Sequence, residues 1–201
     1  MMRASCSGGH RPPRRMGRTS QSISADALRQ MPGDGYRYDL IRGELKRMSP
    51  ASGVHGILAS RTDFVIRQHV EAEHLGEVFG AETGFKLESN PDTVLAPDVA
   101  FIRKDRLPKG EFPEGYWTIA PDLVIEIISP GDRPSEVEEK VELYLAAGVR
   151  AVWLFYPRTR TVTVRRSHST LHLTDKDVLA GEDVVPGFRC PLEKIFANVK
   201  V

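Results

Sequence analysis

The chain has 201 residues, which suits one domain with a sizeable core and leaves little room for two. Five arginines and no acids fall in residues 1–20, so residues 21–201 carry 23 basic and 27 acidic residues, a net charge of −4. A protein that holds nucleic acid by bulk charge would be basic, so we expect any such contact to be local, weak or metal-assisted. Cys6 and Cys190 form no disulfide framework or metal-ligand spacing, which fits a reducing cytoplasm.

Residues 1–20 form a basic tail whose Gly, Pro, Ser and Arg content predicts disorder. No apolar stretch follows Arg14 and Arg15, so we expect no signal peptide, no membrane contact and a cytoplasmic location. The tail is either a leader, with the true start near Met16, or an arm that binds DNA. The predicted organisation is therefore a disordered tail over residues 1–20 and a single domain over residues 21–201.

The sequence of the first half of the domain predicts a short helix, a hairpin and a long helix. SISADALRQMP has a Ser/Asp cap signal and a proline stop, which favours a short helix. YRYDLIRGELKRMSP predicts two short strands around a turn at Arg42 and Gly43. The apolar residues at 54, 57, 58, 64, 65 and 70 predict an amphipathic helix of about six turns that ends at Gly76.

The second half predicts alternating strands and helices, as expected of an α/β domain. Strands are expected in GEVFGAETGFKLE, TVLAPDVAFI and APDLVIEIISP, with a loop over residues 103–121. RPSEVEEKVELYLAAGV predicts a helix, and RAVWLFYP and TVTVRR predict two strands joined at residues 157–159. The segment DVVPGFRCPLEKIF predicts a short strand and a last turn of helix.

Two acids lie inside apolar strands, Asp98 in LAPDVAFI and Glu126 in DLVIEIIS. An unpaired buried charge is costly, so these positions need an explanation. Each acid could end a strand or pair with an arginine. If the two strands are neighbours, however, the carboxylates meet over one spot and repel unless a cation lies between them, and oxygen ligands suit Mg²⁺ or Mn²⁺.

Lys140 is the third residue of interest. In the helix after Glu126, Val137, Val141 and Tyr144 form one apolar stripe, and Lys140 lies at its edge. The neighbouring acids at 138, 139 and 142 point away from that stripe. Lys140 could extend to solvent or lean over the strand end towards the two acids.

Five blocks in order resemble the Uma2 (DUF820) family, which is assigned to the PD-(D/E)XK nuclease fold. They are YDLIRGELKRMSPASGVH, APDVAFI, APDLVIEIISPGD, EKVELYLAAGVRAVWLFYP and VPGFRCPLEKIF. The resemblance covers about residues 22–197. It implies a restriction-endonuclease-like α/β (α+β) fold, with a central mixed sheet flanked by helices and an N-terminal β-hairpin extension.

The resemblance implies a metal site and a departure from the plain motif. Asp98 matches the Asp of the PD motif, and Glu126 matches the acid of (D/E)XK. The lysine of that motif would fall on Ile128, and Lys140 matches the position to which the family's lysine has moved. Asp98, Glu126 and the carbonyl of Ile127 would hold Mg²⁺ or Mn²⁺, and Lys140 would orient a water or stabilise developing charge.

Further residues match family positions with less certain roles. Glu44 and Glu82 would complete the site, unless they are surface acids of a hairpin and an edge strand. His55 is either part of the site or a structural hydrogen-bond donor. Lys86 is the alternative lysine. DNA is the substrate that the resemblance implies, and a homodimer is one assembly that the sequence allows.

Three functions remain open on the sequence. The first is a metal-dependent DNA endonuclease that hydrolyses phosphodiester bonds. The second is a catalytically silent nuclease-fold module that binds or regulates. The third is another two-carboxylate hydrolase such as a glycosidase, which needs no divalent metal. No helix-turn-helix, zinc finger or basic recognition helix is visible, so strong sequence specificity is not expected.

Overall fold

The structure is a computed structural model that describes residues 22–48 and 50–200. The predicted disorder of residues 1–20 concerns a segment that lies outside this range. The helices and strands are, in chain order, α1 (Ala25–Arg29), β1 (Arg37–Ile41), β2 (Glu44–Met48), α2 (Gly53–Ala72), β3 (Gly76–Gly80), β4 (Phe85–Glu88), β5 (Thr93–Leu95), β6 (Val99–Arg103), β7 (Leu123–Ile127), α3 (Pro134–Ala146), β8 (Ala151–Tyr156), β9 (Thr161–Arg166), β10 (Ser169–Thr174), β11 (Val178–Ala180), β12 (Arg189–Pro191) and α4 (Leu192–Phe196).

A six-stranded mixed sheet forms the centre of the domain, in the order β10-β9-β8-β7-β6-β3. β7 and β8 pair in parallel through the crossover helix α3, and the other neighbours pair antiparallel. A four-stranded sheet of order β2-β1-β5-β4 lies beside it, and β11 and β12 form a small ribbon. The predicted central mixed sheet with flanking helices is confirmed.

The central strands are buried on both faces because helices cover each side. Ile125, Trp153 and Phe155 belong to the cluster that packs against α2 and α4. Val124 and Leu154 belong to the cluster that packs against α3. Successive strand residues point to opposite faces, so Glu126 shares the α3 face with Val124. This alternation directs the Glu126 carboxylate towards α3.

Helix α2 buries a narrower stripe than its apolar residues predict. Ser52 caps its N-terminus by accepting the N–H of His55 at 3.2 Å. The buried residues follow every fourth position: Leu58, Thr62, Ile66 and Val70. Ile57 and Phe64 are 47% and 63% exposed, so the sequence pattern assigned them to the wrong face. The helix ends at Ala72, before the predicted Gly76.

The predicted N-terminal hairpin is present as β1 and β2. Its turn places Arg42 and Gly43 at φ values of 48° and 80°, the left-handed region that two-residue hairpin turns require and that glycine favours. β1 also pairs with β5 through Leu40 and Val94, which attaches the hairpin to the second sheet. Among residues 22–48 and 50–200, no helix has both the length and the apolar composition needed to cross a bilayer.

Candidate active site

Asp98 and Glu126 come together where β6 and β7 pair. The antiparallel register aligns Val99 with Ile125, and one further step places Asp98, just before β6, opposite Glu126. Opposite residues of antiparallel strands point to the same face, so the two carboxylates lie side by side. The condition under which the sequence allowed the two carboxylates to meet, that their strands are neighbours, is therefore met.

Asp98 is fixed by two donors on one of its oxygens. Its Oδ2 accepts the backbone N–H of Ile127 at 2.8 Å. His55 Nε2 lies 3.1 Å from the same oxygen, and the side chains of both residues are largely buried. The hydrogen bond to Asp98 raises the pKa of His55, although burial opposes this. His55, whose role the sequence left open, thus contacts the candidate metal ligand.

Glu126 is held by groups from α3. Its Oε1 accepts the hydroxyl of Tyr144 at 2.8 Å and lies 3.0 Å from Nζ of Lys140. Burial raises the pKa of Glu126 to about 7; Lys140 opposes this shift, whereas Asp98 and Asp39 add to it. The charged form of Glu126 is therefore disfavoured first by burial and then by the neighbouring acids, and a bound cation would offset both effects.

Lys140 leans inwards from α3, the second of the two orientations that the sequence allowed. Its side chain is 15% exposed, and Nζ lies between Oε1 of Glu126 at 3.0 Å and Oδ2 of Asp39 at 3.2 Å. Burial alone would lower the pKa of this ammonium, but Glu126 and Asp39 outweigh it and raise the pKa. Lys140 is therefore a cation at neutral pH.

The cluster has a further member, Asp39, which was not predicted from the sequence. It lies in β1, is 3% exposed, and accepts the N–H of Ala96 on Oδ1 at 3.3 Å. A signal was present, because Asp39 is also an acid in a predicted strand, next to an aliphatic residue, Leu40.

The cluster opens into a cavity of about 480 Å³ between the hairpin, the start of α2 and α3. Four cationic side chains and six carboxylates line it, a formal net charge of −2 with His55 neutral. The cationic residues are Arg37, Lys46, Arg47 and Lys140, and the acidic residues are Asp39, Asp98, Glu126, Asp132, Glu136 and Glu139. Acidic groups thus outnumber basic groups around the cavity, and a bound cation would reduce the repulsion of an anionic substrate.

The residues present fit a hard divalent cation. The contacts within the described ranges use Oδ2 of Asp98 and Oε1 of Glu126, which leaves Oδ1 and Oε2 for another partner. The N–H of Ile127 points to Asp98, and within a strand the C=O of the same residue points the same way. No three His, Cys, Asp or Glu side chains in residues 22–48 and 50–200 form a metal-binding group. Mg²⁺ commonly uses one or two carboxylates together with waters and substrate oxygens, so a full protein cage is not required.

Three of the residues considered from the sequence lie away from the cluster. Glu44 and Glu82 have side chains that are 72% and 74% exposed, and they pair with Lys46 and Arg37. Lys86 pairs with Asp92 at 2.9 Å. None of the three lines the cavity. The structure therefore does not place Glu44 and Glu82 in the site that they were expected to complete, and both are surface acids instead.

The mixed sheet, its flanking helices and the acid and lysine cluster at one end of it define a restriction-endonuclease-like fold. The chain belongs to the Uma2 family, whose family model, described as "putative restriction endonuclease", matches residues 25–193. The family predicted from the five sequence blocks is thus confirmed.

A solved structure has the same fold. The chain is similar to a crystal structure titled as that of "a putative nuclease belonging to DUF820" from Anabaena variabilis ATCC 29413, with a TM-score of 0.75 and 23% identity. The similarity covers 87% of this chain and 97% of the other. No curated protein matches the sequence.

Proposed function

We propose that the protein is a metal-dependent endonuclease that hydrolyses DNA phosphodiester bonds at the Asp98, Glu126 and Lys140 cluster. The observation that carries the proposal is the meeting of two carboxylates and one ammonium in a single cavity, with Nζ of Lys140 3.0 Å from Glu126. Membership of a family described as "putative restriction endonuclease" supports DNA as the substrate and disfavours a glycosidase.

Asp98, Glu126 and the carbonyl of Ile127 would hold Mg²⁺ or Mn²⁺. When bound, such an ion supplies Lewis-acid polarisation of the phosphate and activation of a water nucleophile. His55 and the N–H of Ile127 orient Asp98, while Tyr144 orients Glu126, so both ligands are fixed before substrate arrives. Such fixed orientation lowers the reorganisation needed during the reaction.

Lys140 would stabilise the negative charge that develops on the phosphate. Its raised pKa keeps it protonated, so it does not serve as a general base at neutral pH. An ammonium in a partly buried cavity acts more strongly on a developing charge than it would in water. The helix supplies the charge that the plain motif would place at Ile128.

The proposal is tested by cleavage of supercoiled, linear duplex and single-stranded DNA with Mg²⁺ or Mn²⁺. We expect cleavage by the wild type, none in EDTA, and a loss of at least about 10²-fold in Lys140→Ala. Lys86→Ala is the matched control, because Lys86 also forms a partly buried ion pair but lies outside the cavity. DNA binding without cleavage under all these conditions would contradict the proposal and favour a binding module.

A further inference from the structure

We propose that Asp39 is the positioning residue that fixes the ammonium of Lys140 for catalysis. This inference rests on the proposed nuclease function and assigns a role to the β1–β2 hairpin. Asp39 and Lys140 are far apart in sequence and belong to different elements, yet Oδ2 and Nζ lie 3.2 Å apart. The contact joins the hairpin to the helix that carries the lysine.

The need for such a residue follows from the lysine side chain. Lys140 has a flexible four-carbon stem, which loses much of its rotamer freedom when the ammonium is held in one place. Its other partner, Glu126, also accepts the Tyr144 hydroxyl and is a candidate metal ligand, so its charge is shared. Asp39 is a second anion that confines Nζ from the hairpin side.

Asp39 is itself held by the segment that carries Asp98. Its Oδ1 accepts the N–H of Ala96, two residues before Asp98, and its side chain is 4% exposed. One carboxylate therefore contacts both the connection between β5 and β6, which carries Asp98, and the helix that carries Lys140. A buried side chain with these two contacts can set the relative position of the two groups.

Asp122 provides a matched control for substitution. It is also a buried Asp, with a side chain that is 2% exposed, one ion pair to Arg106 at 2.9 Å and one backbone donor, the N–H of Arg103, at 3.0 Å. It does not line the cavity. Asp39→Asn and Asp122→Asn thus remove the same charge from similar surroundings, and only the first change touches Lys140.

The kinetic test is a double-mutant cycle. Asp39→Asn should lower kcat about 10–100-fold, with KM for DNA and Mn²⁺ affinity changed less than about threefold, whereas Asp122→Asn should leave kcat nearly unchanged. In a Lys140→Met background, Asp39→Asn should add no further loss. If Asp39→Asn alone fails to fold, Lys140→Met and the double variant still test the coupling, because the double variant leaves no unpaired charge between the two positions.

A second readout does not depend on activity. In metal-free protein, the ¹⁵N-resolved NMR signal of the Lys140 ammonium, assigned by its absence in Lys140→Met, should be present in the wild type and Asp122→Asn. It should shift or disappear in Asp39→Asn. An unchanged signal, an equal kcat loss in the Lys140→Met background, or loss of Mn²⁺ binding in Asp39→Asn would each overturn the positioning role. A wild type that cuts no DNA would refute the proposed function, while the NMR result would still decide the placement of Lys140.

Discussion

Lys140 contacts Glu126 from the helix that follows it, with Nζ 3.0 Å from Oε1. In the plain (D/E)XK pattern the lysine would stand at position 128, directly after the strand that carries the acid. Here the charge reaches the same carboxylate from α3. Because α3 is the crossover between the parallel strands β7 and β8, its position over the strand end is set by the central sheet itself.

Metal binding should depend on both acids. We expect the wild type to bind one Mn²⁺, and Asp98→Ala or Glu126→Ala to remove this binding, because each takes away one of two carboxylate ligands. Isothermal titration calorimetry measures the effect, with Asp122→Asn as the control for loss of a buried carboxylate. Equal Mn²⁺ affinity in the wild type and Asp98→Ala would refute the assignment.

Two substitutions of Lys140 should show whether cleavage needs only a positive charge at this residue or an ammonium at one position. Lys140→Ala should keep the fold and metal binding while lowering the cleavage rate about 10²–10³-fold, the usual scale for loss of one group that stabilises a transition state. Lys140→Arg should recover little, because the planar guanidinium does not match the position of an ammonium. Single-turnover rates on one DNA substrate measure both effects.

A lysine at position 128 should restore part of the activity. Ile128 lines the same cavity. Ile128→Lys in the Lys140→Ala background would therefore place a cation at the lysine position of the (D/E)XK motif. Some apolar packing is lost, because Ile128 packs against the cluster under α3. Full activity in Lys140→Ala alone would show that the helix lysine is dispensable.

The stability of the metal-free protein should fall as pH rises from about 5 to 8. Burial raises the pKa of Glu126 from 4.5 to about 7. Its contribution to the free energy of unfolding is therefore fully present below about pH 4.5 and is lost as the pH rises through about 7. The pKa of His55 is also raised, by Asp98, and its contribution is lost as pH rises above 6.5. Acids with lowered pKa values, such as Glu138, titrate below this window.

Urea unfolding in EDTA at several pH values measures this dependence. We expect a decrease on the order of a few kcal/mol for the wild type and a much flatter profile for Glu126→Gln, which cannot ionise. A wild-type profile that rises over the same range would show that Glu126 is stabilised in its charged form instead.

Removal of the Tyr144 hydroxyl should weaken metal binding without displacing the helix. Tyr144 is fully buried and donates to Oε1 of Glu126 at 2.8 Å, so Tyr144→Phe removes an orienting bond while keeping the ring. We expect Mn²⁺ affinity to fall about tenfold, as for other groups that orient metal ligands. Tyr156→Phe, at a half-buried tyrosine outside the cavity, is the control, and equal effects in the two variants would argue against this role.

Strand alternation predicted that Asp98 and Glu126 would lie side by side only if their strands were neighbours, and the pairing of β6 with β7 meets that condition. Helix periodicity placed Lys140 at the edge of the apolar stripe of α3 but left open whether its ammonium extends to solvent or leans towards the two acids. Asp39 was missed because the hairpin belongs to a second sheet, and its approach to α3 depends on long-range packing that no local pattern encodes. Glu44 and Glu82 were overvalued because a matching position does not reveal the direction of a side chain, and both point to solvent.

We propose that Asp98 and Glu126 share one divalent cation beside Lys140. A crystal soaked in Mn²⁺ tests it directly through the anomalous scattering of the metal. We expect a single strong peak in contact with both carboxylates and with the carbonyl of Ile127, and no such peak in Asp98→Ala crystals. An empty cluster, with His55 and Lys140 still bound to the two acids at saturating Mn²⁺, would contradict the claim.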